Sequence, residues 1–106
     1  MSIQERIDIQ LVAAAFGQVL REARLSHTCS QTMLADRAGI DPTYPSLLER
    51  GLRAPSLSVV IAVAEGLSVE AEILVAGTVA HLASKGSVAA QGYSRTVQVN
   101  IPTPAQ

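Results

Sequence analysis

Apolar positions Ile9, Val12, Phe16, Val19, Leu20 and Ala23 return at steps of three and four along residues 8–24, a spacing that gathers side chains on one face of a helix. Asp8 stands where a cap is needed, since its carboxylate can accept from amides of the first turn. Ser30 offers the same chemistry ahead of Gln31, Met33, Leu34 and Ala38, a second helix that Gly39 should end. A third helix is expected to start at Asp41 and Pro42 and to end at Gly51, because proline tolerates the first helical position. Ser56 should cap a fourth over residues 57–65, and a fifth follows over residues 69–84.

The fourth segment is apolar around most of its circumference (Leu57, Val59, Val60, Ile61, Ala62, Val63, Ala64), which predicts burial on more than one side. The fifth supplies a cover through Val69, Ile73, Ala76, Val79, Ala80 and Ala83, with Leu74, Val75 and Leu82 widening the stripe. Together they offer more apolar surface than one small monomer needs. Beyond residue 92 the period changes: Arg95, Val97, Val99 and Ile101 alternate with Ser94, Thr96, Gln98 and Asn100, as in a strand. A lone strand has no partner in a helical domain, so it is expected to pair with its counterpart in a second subunit or to remain a disordered tail.

At 106 residues there is material for one core. Hydrophobic residues make up 48% of the chain and aromatic ones only 3%, a mixture suited to closely packed helices. The net charge of −1 excludes a global basic field. Over residues 17–68, Arg21, Arg24, Arg37, Arg50 and Arg53 are balanced by Glu22, Asp36, Asp41, Glu49 and Glu65, so any contact with a polyanion would have to come from a local patch. Cys29 is the single cysteine, which rules out an intrachain disulfide and a cysteine-built metal site and suits a reducing, cytoplasmic setting. The first ten residues lack the order of a secretory signal, and the apolar stretches fall short of the ~20 residues of a membrane span, so no membrane partner is expected. His27 and His81 stand apart and are expected to face solvent. With no glycine-rich phosphate loop, no nucleophile beside a base and no paired carboxylates, the chain is not expected to be an enzyme or to hold a cofactor or metal.

Three segments, SQTMLADRAGI at 30–40, LLERG at 47–51 and APSL at 54–57, follow one another without a gap. With them the stretch 16–67 resembles the helix-turn-helix domain of the Cro and lambda-repressor superfamily, the XRE family. The resemblance implies an all-α, five-helix lambda-repressor-like fold with a short C-terminal strand or tail. It divides the chain into a DNA-binding part, 1–68, and a C-terminal helix and tail, 69–106, that serves dimerisation. Within the motif Ala35 is small where the second and third helices cross, and Gly39 supplies the left-handed turn between them. Ile40, Leu48, Leu34 and Leu57 are expected to lock their angle, and Cys29 takes the place of a core aliphatic residue.

In that family the third helix enters the major groove and the start of the second points at a phosphate. Carried over by position, Gln31 contacts a phosphate at the start of the second helix, Thr32 beside it belongs to the DNA-binding set, and Arg50 and Arg53 contact the backbone from the loop after the third. Pro42, Thr43, Tyr44, Ser46 and Leu47 face the bases. Arg24 and Glu49 occupy the positions of an ion pair that joins the first and third helices. Two features depart from the pattern. Pro45 stands where a buried aliphatic residue is usual, which predicts a late start to the third helix with residues 42–44 as an extended lead-in. The base-facing set also lacks the Arg, Asn or Gln of bidentate readout, leaving thymine-methyl contact, the Tyr44 hydroxyl and DNA shape. The expected function is a dimeric, sequence-specific repressor on an inverted-repeat operator, homodimeric through residues 69–101. The alternative is a protein-interaction module of anti-activator or antitoxin-like kind, with a protein partner in place of DNA.

Overall fold

In a computed structural model, which describes residues 8–84, the periodic segments become five helices: α1 (Ile9–Ser26), α2 (Gln31–Ala38), α3 (Tyr44–Glu49), α4 (Leu57–Leu67) and α5 (Ala71–Ser84). There is no strand among the described residues, and the alternating stretch 94–101 lies outside them. Three helices open on the expected caps. Asp8 Oδ1 accepts from the amides of Gln10 at 2.9 Å and Leu11 at 3.2 Å, Ser30 Oγ from Met33 at 3.0 Å, and Ser56 Oγ from Val59 at 3.2 Å.

Four helices end by one device. The amides of Cys29, Ile40, Leu52 and Val69 reach back to the carbonyls of Arg24 (3.1 Å), Ala35 (3.0 Å), Leu47 (2.9 Å) and Ala64 (2.9 Å). The residue before each donor takes the left-handed conformation: Thr28 (φ 52°), Gly39 (70°), Gly51 (72°) and Ser68 (59°). Such a bond satisfies a carbonyl that the helix leaves open, and an apolar residue after the turn anchors the reversal. Cys29, Ile40 and Val69 do so against the core, whereas Leu52 is exposed.

That core joins Phe16 and Leu20 of α1, Leu34 of α2, Leu48 of α3, Val60, Val63, Ala64 and Leu67 of α4, and Leu74 of α5, together with Cys29. Several sequence expectations need correction. Leu57, expected to lock the helix pair, is 72% exposed, and Ile9, placed on the buried face of α1, is 67% exposed. On α5 the buried stripe is Leu74, Thr78 and Leu82, while Ile73, Ala76, Ala80 and Ala83 point to solvent. α5 lies against α1, where Leu82 and Val79 pack on Ala15 and Val12, and its turn at Gly77 approaches Val19. Of the stripe expected as a cover, Val69, Leu74, Val79 and Leu82 pack inward, while Ile73, Val75, Ala76, Ala80 and Ala83 form the outer face. Thr78 needs no cross-helix partner, because its hydroxyl donates to the Leu74 carbonyl at 2.8 Å. His81 is half-buried rather than solvent-facing.

α3 begins at Tyr44, with Pro45 buried in its first turn, where no intrahelical bond requires an amide. The lead-in is a turn instead of an extended segment: Thr43 has helical angles (φ −85°, ψ −14°), and the Tyr44 amide donates to the Asp41 carbonyl at 2.9 Å. The C-terminal end of α3 lies directly on α1. A Cβ at Gly17 would run into the Leu48 carbonyl oxygen and stand 2.8 Å from that of Glu49.

Gly17→Ala is expected to cost about 3 kcal/mol or more, since the obstacle is backbone on both sides. Gly39→Ala should cost only about 1 kcal/mol, because no atom lies within 4 Å of the added methyl and the left-handed backbone is the sole penalty. Urea midpoints of the two variants check the order; a Gly17→Ala chain as stable as the unaltered one would refute the close approach.

Candidate nucleic-acid interface

The expected site residues lie on the start of α2, the outer side of α3 and the loop that follows. Thr32, Pro42, Thr43, Arg50 and Arg53 are exposed; Gln31, Tyr44, Ser46 and Leu47 are half-buried. The inner side of α3 is occupied by Pro45 and Leu48, both buried, and the Tyr44 ring packs against the core beside them. Burial of one side of so short a helix thus determines which side remains outside.

Glu49, at the end of α3, holds the pieces together. Its carboxylate accepts from Arg24 Nε at 2.6 Å and Arg24 Nη2 at 3.0 Å, a two-pronged ion pair in which only 10% of the Arg24 side chain and 3% of the Glu49 side chain are exposed. Arg24 Nη1 donates to the Cys29 carbonyl at 2.8 Å. The hydrogen bonds to Glu49 raise the Arg24 pKa above its ordinary value against the opposing effect of burial, so the guanidinium stays charged. Gln31 Nε2 also donates to Glu49 Oε1, at 3.0 Å. The glutamine expected to meet phosphate is therefore held by its amide nitrogen at the junction of α1, α2 and α3.

At the two ends of α3 the polar groups are largely paired within the chain. Asp41 Oδ1 accepts from the Thr43 hydroxyl at 2.6 Å and the Thr43 amide at 2.8 Å, and these bonds lower the Asp41 pKa, the hydroxyl contributing most. Arg50 Nε donates to the Ser46 hydroxyl at 3.2 Å and the Ser46 carbonyl at 3.3 Å. The sequence pattern marks Asp41 as the start of the third helix, whereas the helix begins at Tyr44 and Asp41 shapes the turn before it through Thr43. The Asp-x-Thr order was the available signal, because an aspartate carboxylate readily bonds the amide two residues on. Among the described residues no group of three or more His, Cys, Asp or Glu could hold a metal ion, and no helix is long and apolar enough to cross a membrane.

Residues 20–74 match a helix-turn-helix family model. Over 58 residues the chain is 41% identical to HTH-type transcriptional regulators from two strains of Mycobacterium tuberculosis, a match covering 55% of this chain and 41% of each relative. It thus spans about two fifths of the length of those relatives. Among solved structures, the restriction-modification controller protein C.AhdI from Aeromonas hydrophila is 39% identical with a TM-score of 0.57, over 58% of this chain and 94% of that one. A hypothetical transcription factor from Neisseria, NHTF, is 34% identical with a TM-score of 0.57, over 64% and 78%. The clp gene regulator ClgR from Corynebacterium glutamicum shares the fold at 23% identity and a TM-score of 0.67, over 82% and 90%.

Removing either partner of the Arg24–Glu49 pair strands a buried charge without its counter-ion, so Arg24→Ala and Glu49→Ala should each destabilise by about 3 kcal/mol. The double variant should cost little more than either single one, since the second removal relieves the stranded charge. Additive effects in denaturant titrations would show that the two residues act separately.

Proposed function

We propose that this chain, which belongs to the XRE-type helix-turn-helix family, is a DNA-binding transcriptional regulator that lays the outer side of α3 in the major groove. The observation that carries the reading is the way α3 is mounted. Pro45 and Leu48 bury its inner side, Glu49 ties its end to α1 and α2, and Pro42, Thr43, Ser46, Leu47 and Arg50 are left on the outside. Gln31 and Thr32 would meet one phosphate at the start of α2, and Arg50 and Arg53 others beyond α3, setting the register. Tyr44, its ring against the core, would contribute only its hydroxyl end.

A near-neutral monomer with few cations gains little from phosphates, whereas two joined copies double the contacts and make the second engagement intramolecular. The second copy is proposed to sit on the C-terminal part, 69–106, where α5 presents Ile73 (61% exposed) and Val75 (47% exposed) with Ala76, Ala80 and Ala83. A two-fold assembly of this kind reads an inverted repeat with half-sites about one DNA turn apart; repression by covering a promoter follows from such a mode. One observation favours a second reading, a surface for a protein partner: Gln31, Thr43 and Ser46 already have partners within the chain.

Fluorescence titration of the chain against a duplex from its own promoter, at low and moderate salt, separates the two. Affinity that falls with salt supports DNA binding, and the Arg50→Ala/Arg53→Ala variant should flatten the logarithmic salt slope by about 0.9 for each phosphate no longer engaged. An unchanged slope removes those roles, and absence of duplex binding in any salt leaves the protein-partner reading. Sedimentation checks the assembly: the unaltered chain should be dimeric and Ile73→Glu monomeric with weaker DNA binding, while a monomeric unaltered chain refutes the dimer.

A further inference from the structure

We infer that the outer surface of α3 distinguishes bases chiefly by the C5-methyl group of pyrimidines, felt through Pro42, the Thr43 methyl and Leu47. This rests on the reading that α3 enters the major groove. Bidentate hydrogen bonding is the usual means of telling base pairs apart there, and it needs Arg, Lys, Asn or Gln. Residues 41–49 contain none of these.

The hydroxyls do not replace them. Thr43 gives its single hydroxyl proton to Asp41, so the oxygen is left with acceptor capacity alone and the methyl is the unengaged part of an exposed side chain. Ser46 accepts from Arg50 and keeps one proton, enough for one bond and too little to separate bases that each offer an acceptor. Leu47 stands one helical turn after Thr43, its amide directed at the Thr43 carbonyl at 3.4 Å. It is half-exposed, and it is not among the partly buried side chains packed on the main core. Pro42, exposed ahead of them, has no side-chain hydrogen-bonding group. Thr43 and Leu47 thus make an apolar stripe beside the polar stripe of Ser46 and Arg50. In the major groove the apolar complement to such a stripe is the thymine C5 methyl. A cytosine carrying a methyl at the same atom offers the same contact.

The test uses the full chain and a random-sequence duplex library. Sites enriched by repeated binding are resynthesised with deoxyuridine for thymidine, and separately with 5-methyldeoxycytidine for deoxycytidine. Each methyl removed at a contacted position should weaken binding about fourfold, and a methylated cytosine placed where thymine was selected should recover part of that affinity. Leu47→Ala, with its helicity checked by circular dichroism, should bring the ratio between thymine and uracil close to one at one position of each half-site. Enriched sites that bind equally well with uracil throughout overturn the inference and leave DNA binding standing. Duplex binding without any enriched sequence also overturns it. No duplex binding at all overturns the parent reading and this one with it.

Discussion

The carboxylate of Glu49 sits where three helices meet and accepts from all that surrounds it: two guanidinium nitrogens of Arg24 on α1 and the amide nitrogen of Gln31 on α2. A carboxylate so nearly enclosed is tolerable only because its lone pairs are met by a charge and a further donor. That requirement fixes the end of α3 to the start of α2, while the bond from Arg24 to the Cys29 carbonyl ties in the α1–α2 connection. Packing keeps these helices in contact, and the ion pair adds a directional link between their ends.

Much else follows from how little α3 can do for itself. Six residues make too few internal bonds to hold a helix in water, so its conformation is imposed at both ends. Asp41 folds the entry through the Thr43 amide and hydroxyl, Pro45 presets the first turn, and Gly51 closes the last with the Leu52 amide on the Leu47 carbonyl. The groups that shape the helix are also those that would otherwise be free to bond a ligand, which links its stability to the plainness of its outer chemistry.

Helix starts were legible in the sequence because the cap is a matter of residue type: Asp8, Ser30 and Ser56 each bond the amides expected of them. Helix ends were legible only at Gly39 and Gly51. Thr28 and Ser68 adopt the same left-handed turn without a glycine to mark it, their conformation being held by the bonds of the following amides. The facing of α5 was legible only in part: a helix apolar on nearly every side carries no periodic signal to separate Leu74, Val79 and Leu82, which pack inward, from Ile73, Ala76 and Ala80, which do not. The Arg24–Glu49 pair came from family resemblance, as no local pattern links positions 25 residues apart. Its extension to Gln31 was not foreseen, being a matter of side-chain reach across two helices.

The approach of Gly77 to Val19, where an added Cβ would stand 3.0 Å from Val19 Cγ1, uses the side of α1 turned away from the one on which Gly17 meets α3, since two residues of helix rotate by more than half a turn. The Thr78 hydroxyl beside it is turned back on its own helix, so shape seats α5 on α1 there. A single missing methyl group therefore decides how closely the last helix can lie on the first, and with it how far the exposed side chains of Ile73 and Val75 stand from the body of the fold.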